Sequence, residues 1–400
     1  MPAQTSTVSE RLAPFGTTIF AEMTALAIEH GAVNLSQGFP DFDGPAFIRE
    51  AAARAMQEGH NQYAPLPGVP VLREAIAGWR ERTTGDRPDA GAEITVTSGC
   101  TEALAASMLG LVNPGDEVVL FEPFYDSYLA CVRMAGATPR VVTLRPPAPD
   151  APHDAPFTFD PEELRAAFGP RTKAVLVNTP HNPTGKVFTR DELAQIAALC
   201  AQHDAIAISD EVYERLVYDG AEHVSIATFP GMRERTVVCS SVGKTFSYTG
   251  WKVGWAIAPE RLTAGVRAAH QFLTFAVPTP LQHGVAAALR EDEGEASVRD
   301  LVEHYTNARD FLLGVLREAG LRAFTPQGSY FILADHAPLN LGDDVQFCRT
   351  LTAEQRVAAI PPSAFYANKE HGRSLARFAF CKRMETLHEA ARRLAALHSR

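Results

Sequence analysis

The chain carries six cysteines, Cys100, Cys131, Cys200, Cys239, Cys348 and Cys381, but no C-x-x-C pair and no cysteine–histidine cluster. That excludes zinc-ribbon and dithiol redox chemistry, and no metal site is expected. Most of these thiols lie among apolar residues, as reduced core cysteines do. No run of about 18 apolar residues occurs, so no membrane-spanning helix is expected. Met1 to Phe20 lacks an apolar core and carries Glu10 and Arg11, so no secretory signal is expected, and a cytoplasmic location is the default expectation. A basic excess is missing as well. The 37 Lys and Arg stand against 47 Asp and Glu, a net charge of -10, which argues against nucleic acid as the main partner because phosphate binding needs a basic face. Internal repeats and low-complexity segments are absent. What is present is an ordinary globular balance, 46% hydrophobic and 21% charged residues in a chain of 400. That length suits a large domain with a smaller one.

The middle of the chain alternates strand and helix patterns. Short apolar runs at Ile94–Thr97, Glu117–Phe121, Lys173–Asn178, Ala205–Ser209, Thr236–Ser240 and Val253–Ala258 read as strands. Helical patterns at Thr101–Val112, Tyr125–Met134 and Arg190–Gln202 lie between them. Continuous apolar strands separated by amphipathic helices indicate an α/β fold with a mostly parallel sheet covered on both faces. Pro146–Pro161, rich in proline, alanine and aspartate, reads as a surface connection within that domain. After about Pro278 the pattern changes. Helices are expected at Leu281–Leu289, Ser297–Ala319 and Met384–His398, with strands at Ser329–Ala334, Val357–Ile360 and Leu375–Phe380, which together describe a small α+β domain. The division expected is 46–285 for the large domain, and 1–45 with 286–400 for the small domain and an N-terminal arm.

Polar residues recur just past the carboxyl ends of these strands. Ser98-Gly99-Cys100-Thr101 follows one strand and opens a helix. Asn182, Asp210, and the pair Ser241 and Lys244 follow three others. In an open parallel α/β sheet, ligands bind at this edge. An anion-binding turn, an amide, a carboxylate and a lysine are what a phosphorylated pyridine aldehyde requires. Taken singly, each residue has a plainer reading: Lys244 as a surface lysine, Asp210 as a helix N-cap, Asn182-Pro183-Thr184-Gly185 as a turn, and Tyr125 as a core tyrosine.

The stretches Asn178–Lys186 (NTPHNPTGK), Ser209–Tyr213 (SDEVY), Ser240–Phe246 (SSVGKTF) and Thr249–Gly254 (TGWKVG) resemble the class I, fold type I pyridoxal-phosphate-dependent aminotransferases. The likeness starts at Asn34–Phe42 (NLSQGFPDF) and ends at Arg377–Phe380 (RFAF). It is similar above all to the branch holding kynurenine/glutamine and methionine aminotransferases and the bacterial succinyl-diaminopimelate aminotransferases. The resemblance implies a large domain with a seven-stranded-type, mostly parallel sheet between helices, a small α+β domain, and pyridoxal 5'-phosphate as cofactor.

It also implies roles. Lys244 would hold the cofactor as a Schiff base and later carry the proton between substrate and cofactor carbons. Asp210 would keep the pyridine nitrogen protonated. Tyr213 and Asn182 would bind the phenolic oxygen, and Tyr125 would stack on the ring. Cys100 and Thr101, at a helix N-terminus, with Ser241 and Lys252, would hold the phosphate. Arg377 would grip the substrate α-carboxylate with its fork of donors, although read alone it fits a solvent-facing strand residue. Gly38, Phe20 and Asn182 join it in substrate binding. Tyr63 would reach the phosphate of the partner subunit, making a homodimer with shared sites.

Thr101 stands where kynurenine-active members carry an aromatic, and Phe20 where they carry tryptophan. No arginine for a distal carboxylate is identifiable, which disfavours aspartate and glutamate as the main donors. An aromatic wall of Phe20, Tyr125, Tyr330 and Phe39 favours methionine, glutamine, aromatic amino acids or kynurenine-like donors, with 2-oxo acids as acceptors in a ping-pong reaction. The alternatives are N-succinyldiaminopimelate transamination in lysine synthesis, and β-elimination from cysteine conjugates. A transcription-regulator reading needs a DNA-binding domain, and none is expected because the aminotransferase pattern starts by about Pro14.

Overall fold

The computed structural model describes residues 8–16, 18–290 and 292–397. Its centre is a seven-stranded sheet. In chain order the strands are β1 (Ile94–Thr97), β2 (Glu117–Glu122), β3 (Thr138–Thr143), β4 (Thr172–Asn178), β5 (Ile206–Asp210), β6 (Thr236–Ser241) and β7 (Gly254–Ile257). They lie in the order β1-β7-β6-β5-β4-β2-β3. Six run in one direction. Only β7 is reversed, pairing antiparallel with β6 and with β1.

Every residue of β1, β2, β5 and β7 is buried. Strands without a polar face need cover on both sides, and helices supply it. Gly99–Leu111 and Asp126–Met134 contribute to one packed cluster, and Arg190–His203 to another. The edge strand β3 escapes the apolar-run criterion because Thr138-Pro139-Arg140 opens it. A proline with no donor is tolerated at an edge, and the outer residues of β3 are exposed. The helix Glu260–Leu273 is a second element that the sequence pattern did not show.

The stretch from Pro146 to Pro161 is not a bare surface connection. Arg145 bridges to Thr158, and Phe157 and Phe159 are buried, with Phe159 tilted against Phe121 at 5.4 Å between centroids. Aromatic anchors of this kind fold the loop back onto the sheet edge.

Beyond Pro278, helices run from Thr279 to Arg290 and from Asp292 to Glu318. The second begins earlier than the expected Ser297. Three short strands, β8 (Arg322–Ala323), β9 (Phe331–Asp335) and β10 (Leu375–Ala379), form an antiparallel sheet in the order β10-β9-β8. Of the expected strand Val357–Ile360, only Val357–Ala358 forms a ladder, and its partner is Val33–Asn34. The last helix is Met384–Leu394, and His398, its expected end, lies outside the described residues.

One stitch positions the site. Leu35 donates to Ala358 O at 3.1 Å, and Ala379 donates to Leu35 O at 2.8 Å. The N-terminal segment Ser36–Gly38 is thereby held against β10, which carries Arg377. Among the described residues, no helix is long and apolar enough to cross a membrane.

Candidate active site

The carboxyl ends of β1, β4, β5 and β6 open into one cavity of about 280 Å3. Parallel strands deliver their C-terminal residues to the same edge, so residues far apart in sequence meet there. Phe20, Gly38, Cys100, Thr101, Tyr125, Asn182, Asp210, Tyr213, Ser241, Lys244, Lys252 and Arg377 all line it. Of the residues expected to hold the cofactor or the α-carboxylate, Tyr63 alone lies elsewhere. It is 85% exposed and stands edge-on to Phe275 at 5.6 Å.

Lys244 sits on the short helix Val242–Thr245 that follows β6. Its Nζ donates to Gly38 O at 3.3 Å and lies 5.4 Å above the Tyr330 ring. Loss of solvent holds its pKa down to about 8, against the partial opposition of Cys381 and Asp210. An amine so placed is neutral far more often than a surface lysine at neutral pH, which suits it to attack a carbonyl.

Asp210 closes β5 and is 4% exposed. Its Oδ2 accepts from Tyr128 Oη at 2.6 Å, and its Oδ1 accepts from Val212 N at 3.2 Å and Cys100 Sγ at 3.4 Å. Burial raises its pKa, and these donors offset that only in part. Asn178 donates to Asp210 O at 3.0 Å and accepts from Asn182 N at 2.8 Å. The end of β4 thereby fixes the Asn182 turn against the end of β5.

Arg377 is 2% exposed. Nη1 donates to Asn182 Oδ1 at 3.1 Å and Nη2 to Ser36 O at 3.0 Å, while Nε is buried without a partner. The rings of Phe331, Phe365 and Phe20 surround the guanidinium at 4.1, 5.1 and 5.2 Å. Burial lowers its pKa to about 10, which leaves it charged at neutral pH. A buried cation with no carboxylate among its hydrogen-bond partners in the described residues is ready to receive one from a ligand. Gly38 is required here by space, because a Cβ on it would lie 2.6 Å from Phe331 Cζ.

The turn before the helix Gly99–Leu111 is shaped by close approach. Gly99 has φ +73°, and a Cβ on Gly254 would lie 2.5 Å from Gly99 C and 2.6 Å from Cys100 N. Only glycine allows the start of β7 to press on this turn. Lys252 Nζ reaches Thr101 Oγ1 at 3.4 Å, so a cation, a hydroxyl and helix-start N–H groups share one corner, a fitting cradle for a phosphate.

Several lining residues escaped the sequence pattern. Tyr128, Gln37 and Phe331 lie in the wall, and Phe365 stands behind it. Phe39, expected in the wall, is instead 46% exposed beneath Lys382 Nζ at 4.9 Å. Tyr330 donates its hydroxyl to Gly38 O and stands edge-on to Tyr213 at 5.2 Å. The SDEVY motif could have pointed to Tyr128 only through knowledge of what faces Asp210.

Residues 30–394 match the family model for aminotransferases of class I and II. The chain is 48% identical over 399 residues to a probable N-succinyldiaminopimelate aminotransferase of Mycobacterium tuberculosis, covering 98% of both chains. It is 44% identical over 385 residues to the methionine aminotransferase of Escherichia coli, covering 96% of this chain and 97% of that one. The solved structure of the Mycobacterium tuberculosis N-succinyldiaminopimelate aminotransferase superposes with a TM-score of 0.93 at 49% identity, covering 98% of this chain and all of that one.

Proposed function

The chain belongs to the class I and II aminotransferase family, and from that premise we propose that it binds pyridoxal 5'-phosphate and uses it to move an amino group from an uncharged α-amino acid to a 2-oxo acid. The observation that carries this reading is the meeting of Lys244, Asp210 and Arg377 in one cavity. Lys244 would attach the cofactor through its amine and would move the proton at the substrate α-carbon. Asp210 holds the proton on the ring nitrogen. Tyr213 and Asn182 would bind the phenolic oxygen, and Tyr125 would stack on the ring. The Cys100–Thr101 turn, Ser241 and Lys252 hold the phosphate. Arg377, with Gly38, Asn182 and Phe20 around it, orients the substrate by its α-carboxylate. When bound, the cofactor supplies an electron sink for the charge left by that proton. Borohydride reduction of the cofactor-loaded protein should fix the label on the peptide containing Lys244, and a label on Lys252 or Lys186 refutes the assignment.

The side-chain preference rests on the wall. Phe20, Tyr125 and Phe331 are aromatic. The cations lining the cavity among the described residues are Lys244, Lys252 and Arg377, and each already serves the cofactor or the α-carboxylate. Methionine, glutamine, aromatic amino acids and kynurenine fit such a wall better than acidic donors. A second reading, N-succinyldiaminopimelate transamination, is favoured by the mycobacterial relative at 48% identity. Comparing kcat/KM for methionine, phenylalanine, kynurenine and succinyl-diaminopimelate decides between them. A preference for the succinylated compound above about a hundredfold, roughly 2.7 kcal/mol, overturns the first.

The same reading includes a cytoplasmic homodimer, divided into a large unit, 46–285, and a small one, 1–45 with 286–400. Tyr63 is 85% exposed and stands edge-on to Phe275, and that exposure supports a role toward the opposite subunit. Mixing inactive Tyr63 and Lys244 variants should restore activity through hybrid dimers.

A further inference from the structure

Among the described residues Asp210 has no cation in hydrogen-bond contact, yet its carboxylate is gripped from two helices. Tyr128, on the helix Asp126–Met134, donates to Oδ2 at 2.6 Å, and Cys100, on Gly99–Leu111, donates to Oδ1 at 3.4 Å. Both side chains are buried, at 3% and 9% exposure, and both border the cavity. The Tyr128 ring is held edge-on to Tyr125 at 5.6 Å and 87°, so its hydroxyl has little freedom to turn elsewhere. Burial raises the Tyr128 and Cys100 pKa values well above their ordinary ones. Both therefore keep their hydrogens and act as donors.

We infer that Tyr128 and, more weakly, Cys100 are positioning residues that set how strongly Asp210 competes with the cofactor's ring nitrogen for their shared proton. This rests on the pyridoxal-phosphate reading above. A proton between a buried carboxylate and a pyridine nitrogen goes to the stronger base. Burial strengthens the carboxylate as a base, which favours moving the proton onto Asp210. Each hydrogen bond donated to the carboxylate weakens it again and leaves the proton on nitrogen, where it is needed. Donors on both oxygens also restrain the carboxylate, which lines the cavity, from rotating. A thiol is the weaker donor, and its distance is the longer, so Tyr128 carries most of the effect. The plainer account is that a buried phenol simply needs an acceptor, in which case its loss changes stability and leaves the cofactor untouched.

The test uses the full chain loaded with pyridoxal phosphate carrying 15N in its ring. The ring 15N shift reports directly where the proton resides. In the parent protein it should stay at the protonated position across neutral pH. In Tyr128→Phe, which keeps the ring and removes only the hydroxyl, the signal should move toward the unprotonated position, and kcat should fall on the order of tenfold, as expected for one hydrogen bond to a charged group. Cys100→Ala should shift it less in the same direction, and the double variant more than either. Tyr128→Phe and Cys100→Ala proteins that are folded and loaded, with an unchanged ring signal, overturn the inference. Should the Tyr128 variant not fold, the sign of the Cys100→Ala shift decides alone. If the parent protein takes up no label, the cofactor reading itself fails and the inference falls with it.

Discussion

Asp210 and Glu211 are adjacent carboxylates, 4% and 0% exposed, and the protein treats them in opposite ways. Glu211 points away from the cavity into a charged cluster. Oε2 accepts from Arg80 Nη1 at 2.9 Å and lies 3.3 Å from His223 Nε2, and Oε1 accepts from Ser209 and Ser225. Burial pushes its pKa up, but Arg80, His223 and Ser225 outweigh that and leave it at about 2. Among the described residues Asp210 accepts hydrogen bonds from neutral donors only, and its pKa stays raised. A compensated carboxylate anchors the helix Pro70–Thr84, which carries Arg80, to the end of β5. The other carboxylate is buried among neutral donors, and on the reading proposed above the protonated ring of the cofactor would supply the missing cation. The difference separates a structural site from a chemical one more clearly than residue type does, since both are acids at the same strand end.

Breaking the chemical side should have the largest effect. Asp210→Ala is expected to leave the protein folded and lower kcat by about four orders of magnitude, roughly 5.4 kcal/mol, in steady-state assays with saturating cofactor. Near-normal turnover would remove the contrast altogether. Breaking the structural side should act on stability instead. Arg80→Met takes the guanidinium from buried Glu211 and leaves it with His223 and two serine hydroxyls, at a cost of about 3 kcal/mol in urea unfolding, while the protein that remains folded turns over at close to the parent kcat.

Acid sharpens the comparison further. Glu211 has a folded pKa below its ordinary value, so its stabilisation is complete above about 4.5 and is lost as pH falls toward about 2. The loss should come to about 3 kcal/mol, and Glu211→Gln should flatten that part of the stability profile. A variant whose acid unfolding parallels the parent's would show that other groups carry it. The smallest effect concerns Lys244, whose amine is held at about 8. Capture of pyridoxal phosphate by the cofactor-free chain should accelerate about tenfold per pH unit below 8 and level off above it. A rise continuing to 10.5 would place the amine in a water-like environment.

Much of this site was legible because its parts are local. Lys244, Asp210 and Asn182 lie within a few residues of apolar runs that announce their own strands, and the sheet rule then assembles them. Arg377 was legible only by resemblance, since an arginine in an alternating strand reads equally as a solvent-facing one. Its surroundings show why. Phe20, Phe331 and Phe365 come from three distant segments, and no spacing in the chain records that they converge. The same holds for Tyr128 and Asp210, whose separation of 82 positions is set by the fold. β3 was hidden by Pro139 and Arg140, whereas the helix Glu260–Leu273 carries a legible start signal in Glu260. Phe157 and Phe159 were concealed by the prolines around them, although apolar side chains in a proline-rich loop are the signal that it is anchored.

The reversal of β7 has a consequence for engineering. Ser241 and Gly254 are cross-strand partners, so the segment between them begins and ends at one point on the sheet and carries both Lys244 and Lys252. Such a segment is a closed cassette. Its internal length fixes how far apart the two amines stand, while its attachment to the sheet needs only one paired register. A library that varies residues inside the cassette at constant length should keep both lysines aimed. A single insertion within it should displace one lysine relative to the other, so length variation belongs outside it.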